Sequence, residues 1–373
     1  MKSKSKRLTS LDFFRGITVA AMIVVNDPGS WEIKYYQLSH AQWEGCTMTD
    51  LIFPFFLFIV GVSIVLAFKG ALRKGATKKR LIWKSLKRAA IIFLLGIFLN
   101  LVPHFNFQEL RVPGVLQRIA LVYMFCSMIF LFAHRRYLFL WFGSILVGYY
   151  IVMMYVPVPG IGPASLDPIN NFSAWFDRLI LNGYLGSKGQ GQYDATGIFT
   201  TVPAIASGLA GVLTGELLSD RTKNQNEKLI WIFIFGIFSM GLGWAFSYGF
   251  PIIKKLWTST FVLHTAGIAA LCFAMSYWFL DVKNWNKWTK PFLAFGVNAL
   301  AAYFIAALLG RLTSSPFIGY KGVQISPREW FYNEVLKVLF NGYNASFAYS
   351  ILNTTLIFML IWYLYKRNII IKV

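Results

Sequence analysis

The sequence predicts an all-α polytopic membrane protein with about ten transmembrane helices and both termini in the cytoplasm. Three observations lead to this fold class. Hydrophobic residues make up 57% of the chain, whereas soluble domains usually contain about 45–50%. Apolar runs of about 20 residues, long enough to cross a bilayer, recur along the whole chain. Charged side chains lie mainly in the short segments between those runs.

Each of the apolar runs is predicted to form one membrane-spanning helix. The first run contains Asp12 and Arg15. It is interpreted as a retained helix and not as a cleaved signal peptide, because the polar segment 26–29 stands where a small-residue cleavage site would be needed. The runs lie near 11–27, 48–68, 86–103, 113–132, 137–156, 197–218, 228–248, 256–280, 291–310 and 345–365.

Lys and Arg residues are concentrated in alternate connecting segments. Such segments stay on the cytoplasmic side of a membrane, so the pattern predicts an even number of crossings. It also places outside the loop that holds His40 and the long loops 157–196 and 311–344. The segments predicted to lie inside are 2–7, 69–88, 135–136, 221–228, 283–290 and 366–372.

Charge and cysteine content exclude two classes of function. The formal net charge of +21 is spread over short loops and forms no basic face on a folded domain, so no nucleic-acid partner is predicted. The three cysteines have neither the spacing of a disulfide framework nor that of a metal site. No metal ion is therefore expected.

The polar stretch 38–54 is the strongest candidate for a functional site. Asp50 stands at the mouth of a long apolar run, where an ionisable group needs a partner or a function. His40, ten residues earlier in the sequence, could supply either, because imidazole exchanges protons near neutral pH. The alternative is a solvated loop histidine beside a helix N-cap aspartate, and the spacing alone favours neither interpretation.

Other polar side chains inside the predicted spans also need partners. Asp12 and Arg15 are three residues apart and can pair on one helix face. Arg118 lies about a turn inside the fourth span and favours an anionic partner. Asn298 could form a hydrogen bond between helices, which is the ordinary use of a buried amide.

Several of these stretches together resemble the heparan-alpha-glucosaminide N-acetyltransferase family. The first matching segments are residues 10–16, 40–54 and 111–118. The resemblance continues in the same order through 193–198, 255–258, 281–283 and 296–298. The opening Leu-Asp-x-x-Arg-Gly pattern is also similar to the acyltransferase-3 group of membrane O-acyltransferases, and an O-acetyltransferase of cell-surface glycans is therefore the alternative.

The resemblance implies an enzyme that moves acetyl from cytosolic acetyl-CoA to the amine of a glucosamine-type sugar on the outer side. The family's functional histidine corresponds to His40, and an associated asparagine to Asn26. We expect the protein to lack the large lumenal N-terminal domain of the animal enzymes; the chain also has a longer gap between these two residues and Ala195 in place of proline. These departures lead us to expect a bacterial-type relative in the inner membrane and leave heparan sulfate itself out of the expected substrates.

The predicted catalytic residues are His40, Asn26 and Asp50. His40 would act as a general base or as a transient acetyl carrier. Asp50 or Asn26 would fix the tautomer of its ring, and Asn26 or Asn298 would donate to the oxyanion. Arg15 and Arg118 would bind CoA phosphates, because a guanidinium pairs bidentately with phosphate. Trp257 and Asn298 lie in the matching stretches and complete the predicted acetyl-CoA site.

The expected organisation is one transmembrane acyltransferase domain over 1–373. Its expected partners are acetyl-CoA as co-substrate, an amino-sugar or glycan acceptor, the lipid bilayer and a second copy of the chain in a homodimer. An amino-sugar transporter is the hypothesis from another class. Transporters usually contain two similar halves with interrupted helices at matching positions, and the sequence shows no such pairing.

Overall fold

The structure, a computed structural model, describes residues 8–186, 191–320 and 322–371. Some of the basic residues used to predict the topology lie outside the described residues, namely the segment 2–7, Lys188, Lys321 and Lys372. The helices and strands that it describes are α1 (Thr9–Asn26), α2 (Met48–Leu72), α3 (Lys78–Leu101), α4 (Val115–Phe132), α5 (Leu138–Tyr155), α6 (Phe172–Ile180), α7 (Thr201–Leu218), α8 (Gln225–Ala245), α9 (Ser259–Tyr277), α10 (Lys290–Val297), α11 (Ala299–Ser314), β1 (Ile318–Tyr320), β2 (Val323–Ile325), α12 (Pro327–Phe331), α13 (Lys337–Leu339) and α14 (Gly342–Lys366).

The described part of the chain is a polytopic helical membrane protein, as the sequence predicts. Eight of its helices are long and apolar enough to cross a bilayer, namely α1, α2, α4, α5, α7, α8, α9 and α14. The pair α10 and α11, bent by 83°, makes a ninth if it is one span. α3 occupies the third predicted run, and its first half carries the basic residues of 78–88. The number of ten crossings and the cytoplasmic termini stay predictions.

The predicted run 291–310 is broken in the structure. α10 ends at Val297 and α11 begins at Ala299, and Asn298 lies between them outside the helical conformation, with φ −113° and ψ 34°. The Asn298 amide donates to the Ile369 carbonyl at 3.0 Å and accepts from the Ile371 amide at 3.0 Å. The break thus anchors the chain segment that follows α14.

The centre of the bundle is the contact between α2 and α7. A Cβ on Gly61 would lie 1.9 Å from the Gly208 carbonyl oxygen, and one on Gly211 would lie 1.9 Å from the Phe58 carbonyl oxygen. Glycine is therefore needed at both positions for the two backbones to approach, as in other close helix contacts in membranes. This packing fixes the position of α2 and hence of Asp50 near its first turn.

The loops predicted to lie outside, called the outer loops below, meet at one end of the bundle. The Gly45 amide donates to the Ile252 carbonyl at 2.8 Å, which joins the first outer loop to the segment between α8 and α9. The Val112 amide donates to the Tyr184 carbonyl at 3.0 Å, which joins the start of α4 to the segment after α6. These connections bring residues distant in sequence to the same face.

Candidate active site

A chamber of about 530 Å³ lies at the end of the bundle where the outer loops meet. Apolar side chains from α1, α2 and α4 form its inner part. Its polar wall comes from the adjoining ends of α1, α3 and α11 and from four loops. The polar and charged residues that line it include Asn26, His40, Asn100, Arg111, Asp194, Thr196, Lys254, Lys255 and Arg311.

The first turn of α2 places Asp50 behind this chamber. Oδ2 of Asp50 accepts hydrogen bonds at 3.0 Å from the backbone amides of Thr47 and Ala41 and from the Thr47 hydroxyl. The bond from the Thr47 amide is half of a capping box, because it satisfies a donor at the start of the helix. Asp50 is fully buried. The N-cap residue is Thr47 and Asp50 is the third residue of the helix, so the predicted N-cap position of Asp50 is wrong, although its carboxylate does satisfy a donor at the helix start.

The other carboxylate oxygen of Asp50 faces His40, so Asp50 is also the partner of the imidazole. His40 Nδ1 lies 2.8 Å from Asp50 Oδ1. The histidine side chain is 45% exposed and lines the chamber. A proton on Nδ1 donates to the carboxylate and leaves Nε2 with a free lone pair, which is the tautomer that a general base needs.

Lys254 completes the cluster and was not among the predicted site residues. Its Nζ lies 2.9 Å from His40 Nδ1 and 3.1 Å from Asp50 Oδ1. Because an Nδ1 that carries a proton cannot accept a hydrogen bond from the ammonium, the two groups are neighbouring donors that share Asp50 Oδ1. The only sequence signal for this lysine was its position next to the matching stretch 255–258.

The surroundings favour the neutral form of the imidazole, because the pKa of His40 is lowered. Loss of solvent around the ring lowers the pKa of His40, the hydrogen bond with Asp50 opposes this, and the charges of Lys254 and Lys34 lower it further. Burial also lowers the pKa of Lys254, while the charge of Asp50 raises it. A neutral imidazole next to a buried carboxylate can accept a proton or attack a carbonyl carbon.

Two more predicted site residues line the same chamber. Asn26 is the last residue of α1, and its amide makes no hydrogen bond within the described part of the chain. Trp257 is buried and has φ +55°, a backbone conformation that is uncommon for a bulky side chain. Its indole donates to the Ser207 hydroxyl at 3.0 Å and its ring meets Phe53 edge to face at 5.2 Å. These contacts hold Trp257 in place.

Arg118 is buried behind Trp257 and does not line the chamber. Its guanidinium carbon lies 4.9 Å from the centre of the Trp257 ring. Nη2 donates to the Thr200 hydroxyl and to the Gly197 carbonyl. Its Nε and Nη1 have no hydrogen-bond partner among the described residues. The anionic partner that the sequence favoured for Arg118 is therefore not in direct contact with it.

Arg15 and Asn298 are also away from the chamber. Arg15 binds Asp12 at 3.0 Å, the Ser63 hydroxyl at 2.7 Å and the Gly296 carbonyl at 3.2 Å. Asp12 and Arg15 thus pair on one face of α1, as their spacing in the sequence predicts. Asn298 binds the backbone after α14, as described above. The acetyl-CoA contacts predicted for both residues stay predictions.

A second ionic cluster, formed by Arg111 and Asp194, also lines the chamber. Arg111 donates from Nε and Nη2 to the two oxygens of Asp194, both at 2.7 Å. Asp194 also accepts from the Thr196 amide and hydroxyl, each at 2.8 Å. The charge of Arg111 and these hydrogen bonds hold the pKa of Asp194 below its usual value against the effect of burial. The resemblance included both residues, but nothing in the sequence paired them.

The described residues contain no group of three or more His, Cys, Asp or Glu side chains that could hold a metal ion.

The catalytic-domain model of heparan-alpha-glucosaminide N-acetyltransferase matches residues 7–242. This stretch includes His40, Asp50 and Asn26 and covers well over half of the chain. The chain belongs to the heparan-alpha-glucosaminide N-acetyltransferase family. The resemblance found in the sequence motifs is confirmed.

Two mammalian relatives are named heparan-alpha-glucosaminide N-acetyltransferase. The human heparan-alpha-glucosaminide N-acetyltransferase is 29% identical to the chain over 80% of the chain and 52% of the human protein. The mouse protein is 27% identical over 81% of the chain and 53% of the mouse protein. The chain thus spans about half the length of the curated relatives that it matches.

Proposed function

We propose that this member of the family is a membrane-bound acetyltransferase. It takes acetyl from cytosolic acetyl-CoA and transfers it to the amine of a glucosamine-type sugar on the outer side of a bacterial-type inner membrane. The observation that carries this proposal is the contact of 2.8 Å between His40 Nδ1 and Asp50 Oδ1 at the wall of the chamber. It supplies an oriented imidazole, which acetyl transfer to an amine needs.

The imidazole of His40 first takes one proton from the acceptor ammonium and releases it to solvent, which leaves the amine neutral. In direct transfer the neutral amine attacks the thioester carbonyl, and a C–N bond forms while the C–S bond breaks. His40 takes the amine proton and passes it to the CoA thiolate. In the two-step route His40 Nε2 attacks the thioester carbonyl first, the C–S bond breaks and CoA leaves as the thiolate. The neutral amine then attacks the acetyl-imidazolium, the bond from the acetyl carbon to Nε2 breaks, and the amine proton passes through the freed ring to the thiolate.

Asn26 is the proposed donor to the oxyanion. Its amide lines the chamber and has no hydrogen-bond partner within the described residues, so its N–H groups are available to a reacting carbonyl oxygen. Asn298, the other predicted donor, is engaged with the backbone of Ile369 and Ile371. Trp257 forms part of the wall that the acetyl-carrying arm contacts. The homodimer stays a prediction.

The deciding experiment is a transfer assay with purified protein. Acetyl-labelled acetyl-CoA is offered with glucosamine, with N-acetylglucosamine, whose amine is blocked, and with a neutral hexose. We expect label only on glucosamine and only as an amide that resists mild alkali. Label released by alkali from any of the three sugars would support an O-acetyltransferase instead. No transfer to any amino sugar would refute the proposed function.

The same preparation separates the two roles of His40. Protein incubated with labelled acetyl-CoA and no acceptor is denatured quickly and digested. Label on the peptide that contains His40 establishes the two-step route. Absence of label from that peptide, in a preparation that transfers label to glucosamine once glucosamine is added, supports direct attack in a ternary complex.

The proposed orientation is tested by cysteine labelling in a Cys46→Ser background. A cysteine at Asn170, an exposed residue between α5 and α6, should react with impermeant thiol reagents added outside intact cells. A cysteine at Lys78, at the start of α3, should react only after the membrane is opened. The reverse pattern would place His40 on the cytoplasmic side and overturn the outer location of the chemistry.

A further inference from the structure

A second cavity meets the chamber at His40. It is an open groove of about 740 Å³ on the outer surface. His40 and Ala41 line both the groove and the chamber, so the imidazole lies where the two spaces join. A molecule bound in the groove would therefore reach the reacting nitrogen from outside while the chamber stays available to the acetyl donor.

The groove has a different chemical lining from the chamber. The rings of Tyr36 and Tyr343 are 75% and 52% exposed. The groove is also lined by Gln42, by one carboxylate, Glu44, and by one ammonium, Lys34, which lies 4.6 Å from the centre of the Trp31 ring. Exposed tyrosine rings offer an apolar face with a polar tip, and amide and carboxylate groups bind hydroxyls and amines. The chamber is lined instead by Arg111, Lys254, Lys255 and Arg311 against Asp194, an excess of positive charge.

The wall of the groove is held in place by contacts between two segments. The Tyr35 hydroxyl donates to the side-chain oxygen of Asn344, and the rings of Tyr35 and Tyr343 are 5.7 Å apart. The Gly29 amide donates to the Ser346 carbonyl at 3.2 Å. The first outer loop is thereby fixed to the start of α14. A preformed wall loses little conformational entropy when a ligand binds.

We propose that this outer groove, defined by Tyr36, Gln42, Glu44 and Tyr343, binds the sugar units that follow the reacting glucosamine of an oligosaccharide acceptor. The pyranose rings pack their C–H faces on the two tyrosines, and their hydroxyls bind Gln42 and Glu44. The acceptor then extends from the groove to His40, and its terminal amine enters at the junction with the chamber. This inference rests on the proposed function, because it assigns the acceptor side of that reaction.

The test uses acceptor length as its variable. Glucosamine is compared with its 1,4-linked oligomers of two to four units, in both the α and the β linkage, as acceptors for the purified protein. In the wild type we expect kcat/KM to rise with length in at least one linkage series, by about tenfold, the size expected from two aromatic contacts. The readout is the ratio of kcat/KM for the best oligomer to that for glucosamine, which cancels any general loss of activity.

Three variants make the readout specific. Tyr36→Ala combined with Tyr343→Ala should bring the ratio close to one by raising the KM of the oligomer. Tyr36→Phe, which keeps the ring, should retain the wild-type ratio. The matched control is Tyr248→Ala, because this outer tyrosine is 81% exposed and lies after α8, away from the groove. The control should leave the ratio at the wild-type value.

The possible failures are distinguishable. Transfer to glucosamine with no gain from length in either series, or with a gain that survives the double alanine variant, would overturn the groove assignment and leave the acetyltransferase intact. In that case the tyrosines are anchors at the membrane interface. Absence of transfer to glucosamine and to every oligomer would instead refute the proposed function itself.

Discussion

Two buried carboxylates serve the same chamber in different ways. Both oxygens of Asp194 are occupied by fixed donors, two from Arg111 and two from Thr196, and Oδ2 also accepts from the Gly186 amide at 3.2 Å. Only one oxygen of Asp50 is occupied in this way. Its other oxygen faces His40 and Lys254.

The difference lies in the protons of the partners. The partner of Asp194 is a guanidinium, a group that does not act as a proton donor or acceptor in proteins, so the Asp194 cluster does not exchange a proton with a ligand. His40 and Lys254 both lose their protons more readily than in water. A carboxylate that holds a permanent cation stabilises the loops around it. A carboxylate that holds an imidazole sets the ring's tautomer and prepares it for reaction.

The largest expected effect follows from removal of the imidazole. His40→Ala should lower kcat by about 100- to 10,000-fold if His40 is a general base, and abolish transfer if it carries acetyl. The measurement is acetyl transfer to glucosamine, with the thermal midpoint as a check on folding. His104→Ala is the matched control, because His104 is an exposed histidine of another outer loop. Near-normal turnover of His40→Ala would remove this site from the reaction.

The next effect concerns the orienting carboxylate. Asp50→Asn keeps the size of the side chain but removes the charge that stabilises a proton on His40 Nδ1, so we expect kcat to fall by about 100-fold. The KM for acetyl-CoA should change much less than kcat. A fall confined to KM, with kcat retained, would mean that Asp50 acts in binding and not through His40.

A smaller effect, on stability, is expected at the other carboxylate. Asp194→Asn should lower the free energy of unfolding by about 2 kcal/mol, less than for a fully buried pair because Arg111 is 37% exposed. Thermal midpoints of wild type, Asp194→Asn and Asp50→Asn in the same detergent provide the measurement. The two clusters would have the same role if Asp194→Asn kept its midpoint and lost kcat as Asp50→Asn does.

The smallest effect is a shift in pH dependence. The charge of Lys254 lowers the pKa of His40, so Lys254→Met should raise it and move the acidic limb of the kcat/KM profile to higher pH. Lys255→Met is the control, because the ammonium of Lys255 binds the Gln42 carbonyl at 2.6 Å and not the imidazole. An acidic limb that stays in place in Lys254→Met would show that the ammonium does not act on His40.

The sequence determined those features that depend on local pattern. Apolar runs long enough to cross a bilayer gave helices at all the predicted positions, because the hydrophobic effect and backbone hydrogen bonding act over consecutive residues. The pairing of His40 with Asp50 was also within reach, since both lie on a short segment that leads into one helix. The break at Asn298 was missed because its cause, the contact with Ile369 and Ile371, lies 71 to 73 residues away.

Only the tertiary structure decided which polar groups share the chamber. Lys254 meets His40 across 214 residues of sequence, and Arg111 meets Asp194 across 83. Arg15 and Asn298, equally plausible by residue type, bind groups elsewhere. Periodicity places a side chain on a face of its own helix and says nothing about the helix opposite. That neighbour is set by close packing such as the glycine contacts of α2 with α7, a property of the assembled bundle.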